Sequence, residues 1–219
     1  SVTANNNVGG ALIAKTGVTV GGDASFENNA SDQGAAINAG GAVLVNGAVT
    51  ARGNVAEAEG GAIYANSFEA KGALVAAGNQ AGAAGGAVYS KTYVKIGEGS
   101  SNISGNKAGG NGGAIYAVNS VNVAGDAVVA TNAAGTAPTT LEIATTETIG
   151  SEGETIKTTV VKTVYSALGG AIYVAAGGAE FGGDVLFNKN KAGGLAGALY
   201  AKGGVKVAGD ASFTNNSAE

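Results

Sequence analysis

Gly60-Gly61-Ala62-Ile63-Tyr64-Ala65 returns unchanged as Gly112-Gly113-Ala114-Ile115-Tyr116-Ala117. Variants stand at Gly9–Leu12, Gly85–Tyr89, Gly169–Tyr173 and, as Ala-Gly-Ala-Leu-Tyr, at Ala196–Tyr200; a degenerate copy is Gly34-Ala35-Ala36-Ile37. Taking the second glycine of each copy gives Gly10, Gly34, Gly61, Gly86, Gly113, Gly170 and Gly197, spaced by 24, 27, 25, 27, 57 and 27 residues. A self-similar period of this length is the signature of a solenoid, in which each repeat is too small to bury its own apolar face and must stack on its neighbours.

A second marker keeps the same phase. Phe26 and Asn29, Phe187 and Asn190, and Phe213 and Asn216 share Phe-x-x-Asn. Admitting any apolar residue in place of Phe extends the series to Asn5, Asn29, Asn54, Asn79, Asn106, Asn132, Asn190 and Asn216. Seven residues before all but the first stands a glycine: Gly22, Gly47, Gly72, Gly99, Gly125, Gly183 and Gly209. At such a corner a residue needs either a positive φ or the absence of a Cβ, and glycine supplies both.

Each coil therefore reads as three short strands. In the last one, Gly197–Ala201 forms the first, Val205-Lys206-Val207 the second and Ala211–Thr214 the third, the latter two alternating apolar and polar residues as a half-buried strand does. Asn216 falls an odd number of residues past Phe213, so a pleated strand does not point both inward. The asparagines are expected in the next corner, bonding amide to amide from coil to coil. Stacked at about 4.8 Å, like positions form columns. One is Leu12, Ile37, Ile63, Val88, Ile115, Ile172 and Leu199, expected inside; the next, of opposite parity, is Ile13, Asn38, Tyr64, Tyr89, Tyr116, Tyr173 and Tyr200, expected as a tyrosine stripe along one flank.

Composition agrees and narrows the chemistry. Forty of 219 residues are Gly, but the single Pro and the lack of a three-residue period exclude collagen. Apolar residues at 45% against 13% charged exclude a disordered chain. Glycine at this density opposes helix by about 1 kcal/mol per residue. There is no Cys and no His, so no disulfide, no thiolate and no imidazole base. A net charge of −4 with a single Arg, Arg52, makes no basic patch for nucleic acid. No apolar run is long enough to span a membrane as a helix.

Between Asn132 and Gly170 the chain spends about 30 residues more than a coil needs. Residues 135–166 change character, rich in Thr and holding Pro138. The β-branched runs Thr139–Ile149 and Thr155–Tyr165 flank Gly150-Ser151-Glu152-Gly153-Glu154, which reads as a hairpin with a five-residue loop inserted into one solenoid domain spanning 1–219. Its role stands open between inert insertion and functional loop.

Repeated Gly-Gly-Ala-aliphatic and Phe-x-x-Asn in a fixed phase resemble the repeats of the chlamydial polymorphic membrane proteins. That resemblance covers nearly the whole chain except the hairpin. It implies a bacterial autotransporter passenger with a right-handed parallel β-helix fold, exposed at the outer surface and acting in adhesion. Both motif types are implicated: here Gly60, Gly61, Ala62, Ile63, Gly112, Gly113, Ala114 and Ile115, and Phe26, Asn29, Phe187, Asn190, Phe213 and Asn216. The expected fold is all-β: a right-handed parallel β-helix of about seven three-stranded coils with a protruding hairpin, roughly 35 Å long.

Many β-helices cleave polysaccharides, so catalysis must be weighed. Arg52 has only Glu57 and Glu59 near it in sequence, a poor set for lyase chemistry. Asp23, Asp126, Asp184 and Asp210 share the position after the corner glycine, but it is Ala48, Ala73 and Ser100 in the middle coils. That leaves Asp184 and Asp210 as the adjacent pair, and corner capping explains them without catalysis. The calcium-binding nonapeptide period is missing. The expectation is a non-enzymatic extracellular protein without metal or cofactor, binding a host or neighbouring-cell receptor, with the hairpin and Tyr64, Tyr89, Tyr116, Tyr173 and Tyr200 as candidate contact surfaces. A polysaccharide-active enzyme is the competing reading. The chain starts part-way through a coil and neither end reads as a capping repeat, which leaves two expectations: a segment of a longer passenger, or copies joined head to tail in a filament.

Overall fold

The computed structural model describes residues 1–135, 139–149, 155–164 and 167–218, with 139–149 and 155–164 described by their backbone course. The chain winds as a parallel β-solenoid of about seven turns, and among the described residues there is no helix. The first sheet holds the strands that follow each double glycine: Leu12–Ala14, Ile37–Ala39, Ile63–Ala65, Val88–Ser90, Ile115–Ala117, Ile172–Val174 and Leu199–Ala201. The second runs from Val18–Val20 to Val205–Val207, and the third, of eight strands, from Val2–Asn5 to Ala211–Thr214.

A fourth sheet corrects the three-stranded reading of the coil. Its strands are two residues each, from Ala30–Ser31 to Ser217–Ala218, and follow directly on the corner asparagines. They are too short to show alternation. Their trace in the sequence is an Asn-x-Ala step, as in Asn54-Val55-Ala56 and Asn106-Lys107-Ala108, whose alanine is buried and whose middle residue is exposed.

The two glycines of the repeat do different work. Gly60 has φ 64°, and Gly85, Gly112 and Gly169 match it within a few degrees, so the first position needs the left-handed region. At Gly61 a Cβ would stand 2.0 Å from the Gly86 carbonyl oxygen, so the second position has no room for one. This fixes the phase of the degenerate copy. Ile37 pairs with Ile63 and Gly34 has φ 51°, so Gly34 is a first glycine and Ala35 stands at the second, one residue off the sequence alignment. Room likewise decides the corner glycines Gly47, Gly72, Gly125, Gly183 and Gly209. A Cβ on Gly47 would lie 2.1 Å from Asp23 Oδ1, and of the seven only Gly99 has a positive φ.

The asparagine series also shifts in the first turn. Val2 pairs with Ala24, Ala4 with Phe26 and Asn5 with Glu27. Asn7, not Asn5, meets Asn29, donating to its Oδ1 from the backbone N at 3.0 Å and from Nδ2 at 2.8 Å. Admitting any apolar residue for Phe made Val2 and Ala4 equivalent, since both lie on the less exposed face of one alternating strand. What sets the phase is the left-handed residue before each asparagine: Asn6, Asn28, Gly53, Gly78, Gly105, Thr131, Lys189 and Asn215, with φ between 54° and 66°.

Inside, the columns interlock by size. Phe26 sits over Ala51 in the third sheet, whereas two turns on the large ring comes from the second sheet as Phe68, between Val43 and Val94. Phe181 meets Phe187 edge to face at 5.6 Å, and all four of these rings are buried. Alternating large and small residues fills a cross-section of fixed width at crystal-like density.

The inserted strands Thr139–Ile149 and Thr155–Val164 pair antiparallel, from Thr139 opposite Val164 to Ile149 opposite Thr155, with a register shift between Glu142 and Ala144. They join none of the solenoid sheets. The five-residue loop expected at 150–154 and Pro138 lie outside the described residues.

Candidate functional site: a tyrosine ladder beside an inserted ribbon

Register carries the tyrosines into a column. Tyr64 pairs with Tyr89, Tyr89 with Tyr116, Tyr116 with Tyr173 and Tyr173 with Tyr200. In each strand the residues on either side point into the core, so the tyrosine points out, half-buried. The rings stack with centroids 5.3, 4.7, 5.2 and 5.2 Å apart and planes within 26° of parallel. The column ends at Asn38 and at Ile13, which is 69% exposed.

Stacking uses the ring faces on one another and leaves edges and phenol groups outward. That geometry differs from a platform that offers an open face to a sugar. Lys91 Nζ lies 5.0 Å from the Tyr64 centroid, a cation held against the negative ring face. Burial first, then the neighbouring Tyr116, Glu59 and Tyr64, raise the Tyr89 phenol above its ordinary pKa. Tyr116 is raised by burial and by Tyr173. The Tyr89 and Tyr116 phenols therefore stay neutral at any physiological pH. Glu59 is also fixed in place, accepting from Gln33 Nε2 at 2.6 Å.

The inserted ribbon leaves the solenoid beside this ladder. Gly135 ends the turn and Ala167 resumes it, and a Cβ on Gly135 would lie 2.1 Å from that of Ala167. Leu168 then donates its backbone N–H to Asn111 Oδ1 at 2.7 Å and accepts from the Gly112 N–H at 3.1 Å. Ribbon departure and return therefore share the corner between the fourth and first sheets, five residues before Tyr173 and one rung from Tyr116.

The motif residues themselves belong to the frame. Ala62, Ile63, Ala114, Ile115, Phe26 and Phe187 are fully buried, and Phe213, on the last turn, is 53% exposed. Asn29 and Asn190 are buried within the amide ladder, each Nδ2 donating to the next asparagine's Oδ1 at 2.9 Å, while Asn216 closes it by donating to the Phe187 carbonyl at 3.0 Å. Gly60, Gly61, Gly112 and Gly113 shape the backbone entering the tyrosine strand.

The aspartates act as corner acceptors. Asp23 Oδ1 takes the Ala48 N–H at 2.8 Å, Asp126 Oδ1 that of Asp184 at 2.9 Å, and Asp184 Oδ1 that of Asp210 at 2.7 Å. Because the insertion loops out between turns, Asp126 also neighbours Asp184, so the adjacent set is three and not the pair read from the sequence. Arg52 lies opposite Glu27 in register. Among the described residues no group of three or more His, Cys, Asp or Glu is arranged to hold a metal ion.

Fold and flank together define a parallel β-solenoid repeat protein with a stacked aromatic edge. The model of the Chlamydia polymorphic membrane protein repeat matches the chain at residues 100–118 and 184–202. Both matches cover the same geometric unit, from the third-sheet corner through the ladder asparagine, Asn106 or Asn190, to the tyrosine strand at Tyr116 or Tyr200. No curated protein and no solved structure matches the chain.

Proposed function

We propose that this chain is a non-enzymatic bacterial surface protein acting in adhesion or cell-to-cell contact, with the tyrosine flank as its contact face. The observation that carries this reading is the row of five stacked tyrosine rings facing outward along the first sheet of the solenoid. The repeat match supports the surface setting. Corner capping accounts for the aligned aspartates without catalysis: Asp126 Oδ1 and Asp184 Oδ1 each accept a backbone N–H of the next turn. The partner is a receptor on a host or neighbouring cell, met by ring edges and phenol groups, since aromatic residues with a polar tip supply large contact area at low entropic cost.

Binding of the purified chain to cultured cells tests this, comparing wild type with a variant carrying Ser at Tyr89, Tyr116 and Tyr173. Loss of at least tenfold in cell binding, with far-UV circular dichroism unchanged, is the expected result. Undiminished binding, or release of unsaturated products from acidic polysaccharides, overturns the reading.

A further inference from the structure

The chain contains no Cys, His, Met or Trp, so the usual first targets of oxidation are missing and tyrosine is the side chain left to carry a one-electron oxidation. Five of the seven tyrosines stand in the ladder, with ring centroids 4.7 to 5.3 Å apart. Each is half-buried, packed against its neighbours but open at its outer edge. Tyr93 has no such neighbour: Ser120 lies opposite it in register, and Lys95 Nζ lies 4.9 Å from its ring centroid. Rings held this close replace a bimolecular encounter by an intramolecular one.

We propose that the ladder is a site of oxidative cross-linking, where hydrogen peroxide acting through a peroxidase joins tyrosines of adjacent turns as dityrosine. Two neighbouring phenols each give up one electron and the phenolic proton, leaving two phenoxyl radicals. One ortho carbon of each ring then joins the other in a new C–C bond. The hydrogen on each of those carbons leaves as a proton, and each phenolic oxygen regains one. The two tyrosines thus lose two hydrogens, and one hydrogen peroxide is reduced to two waters. The outer edges of the rings are free, so the rings can tilt together to make the bond. Tyr89 and Tyr116 are the closest and most nearly parallel pair, 4.7 Å apart with planes 8° from parallel, and the first link joins them. Such a link ties together turns otherwise held by hydrogen bonds and packing. It restricts the unfolded chain as a disulfide does, in a sequence that has no cysteine. The inference uses the ring stack alone and holds whatever the flank contacts.

Treatment of the chain of residues 1–219 with a haem peroxidase and hydrogen peroxide tests it, read by dityrosine fluorescence, intact mass and tryptic mapping. Lys71, Lys107, Lys157 and Lys189 separate each ladder tyrosine from the next, so trypsin places every one on its own peptide and a linked pair is identified by mass. Wild type is compared with Tyr89→Phe/Tyr173→Phe, which keeps five stacked rings but leaves no two tyrosines adjacent. The expected wild-type product is a monomer at every protein concentration, lighter by two hydrogens per link, with Tyr89 joined to Tyr116 first and Tyr93 unlinked. Its urea midpoint is expected above that of the untreated chain. The variant is expected to form dityrosine with at least about tenfold lower yield, although five of the seven tyrosines remain in it. Wild type that forms no dityrosine overturns the proposal. So do links that join separate molecules, links that include Tyr93 as often as the ladder tyrosines, a variant that links as readily as wild type, or a linked chain whose urea midpoint is not raised.

Discussion

Asn132 Nδ2 donates to Asn190 Oδ1 at 3.0 Å, across 58 positions of sequence, in the same bond that joins Asn106 to Asn132 at 2.9 Å. The amide ladder therefore crosses the insertion without a change of spacing. Around it the third-sheet strand Ala127–Ala130 pairs residue for residue with Val185–Asn188, and Ile115 with Ile172. The insertion is an excursion from a finished turn and not a join between two solenoids.

Removing it should then leave the solenoid intact. With residues 136–166 deleted, Gly135 meets Ala167 directly, and these already lie side by side. Loop-closure entropy changes slowly with loop length, so shortening this excursion shifts stability by about 1 kcal/mol or less. Urea unfolding of the deletion chain is expected to give the wild-type midpoint within that margin. A collapse of the midpoint would mean that the ribbon holds the turns together.

The ladder itself is expected to be costly to break. Asn132 Oδ1 accepts from the backbone N and Nδ2 of Asn106, and Asn132 Nδ2 also donates to the Ile103 carbonyl at 2.9 Å. Asn132→Ala removes these bonds and leaves the buried Asn106 N–H without its partner, at about 3 kcal/mol by the usual cost of such a group. Asn7→Ala, at the half-buried first rung, removes a single side-chain bond to the ladder and is expected to lose about 1 kcal/mol. Denaturant titration of the two variants checks the contrast.

Left-handed positions offer a test in both directions. Thr131 has φ 56°, a conformation that a β-branched residue adopts at a cost, and its Oγ1 donates to the Ala130 carbonyl at 2.7 Å. Thr131→Gly is expected to stabilise by about 1 kcal/mol, the strain relieved less the added freedom of the unfolded chain. At Gly78, φ 65°, nothing lies within 4 Å of a Cβ, so Gly78→Ala costs about 1 kcal/mol from backbone strain alone. At Gly113, φ is ordinary but a Cβ would stand 2.2 Å from the Gly170 carbonyl oxygen, and Gly113→Ala is expected to cost about 3 kcal/mol through overpacking. Thermal unfolding of the three variants ranks them.

The period, the parallel sheets and the inward aliphatic column were legible because each repeat marks them with residues that have few alternatives: a double glycine, a buried Ile and a corner Asn. The fourth strand was not, because two residues carry no alternation. The phase of the first turn was lost where Val2 and Ala4 are equally good substitutes for Phe, while the left-handed Asn6 that decides it looks like any polar residue. In the candidate contact surface, the tyrosine column was legible from parity. That its rings stack face to face, that Lys91 covers Tyr64, and that the ribbon emerges beside Tyr173 depend on how the turns close, which the linear order of residues does not display.

Stacking of the tyrosines predicts a stability that fails at high pH. The Tyr89 and Tyr116 phenols have folded pKa values raised above the ordinary 10.0, chiefly by burial and then by neighbouring tyrosines. The folded chain therefore holds its phenolic protons to a higher pH than the unfolded chain does. Below pH 10 both states are protonated and the ladder's contribution is fully present. As pH rises from 10 through the folded values, the unfolded state releases protons first, and stability falls. A Tyr89→Phe, Tyr116→Phe variant keeps the rings and removes these ionisations, while every lysine titrates as before. The expected outcome is that wild type and variant lose similar urea-midpoint increments between pH 7 and 9, and that wild type loses more between pH 10 and 11.5. Parallel loss in both proteins over the upper interval would show that the phenols titrate alike in the folded and unfolded chain, and that the ladder's hydroxyls stand in water.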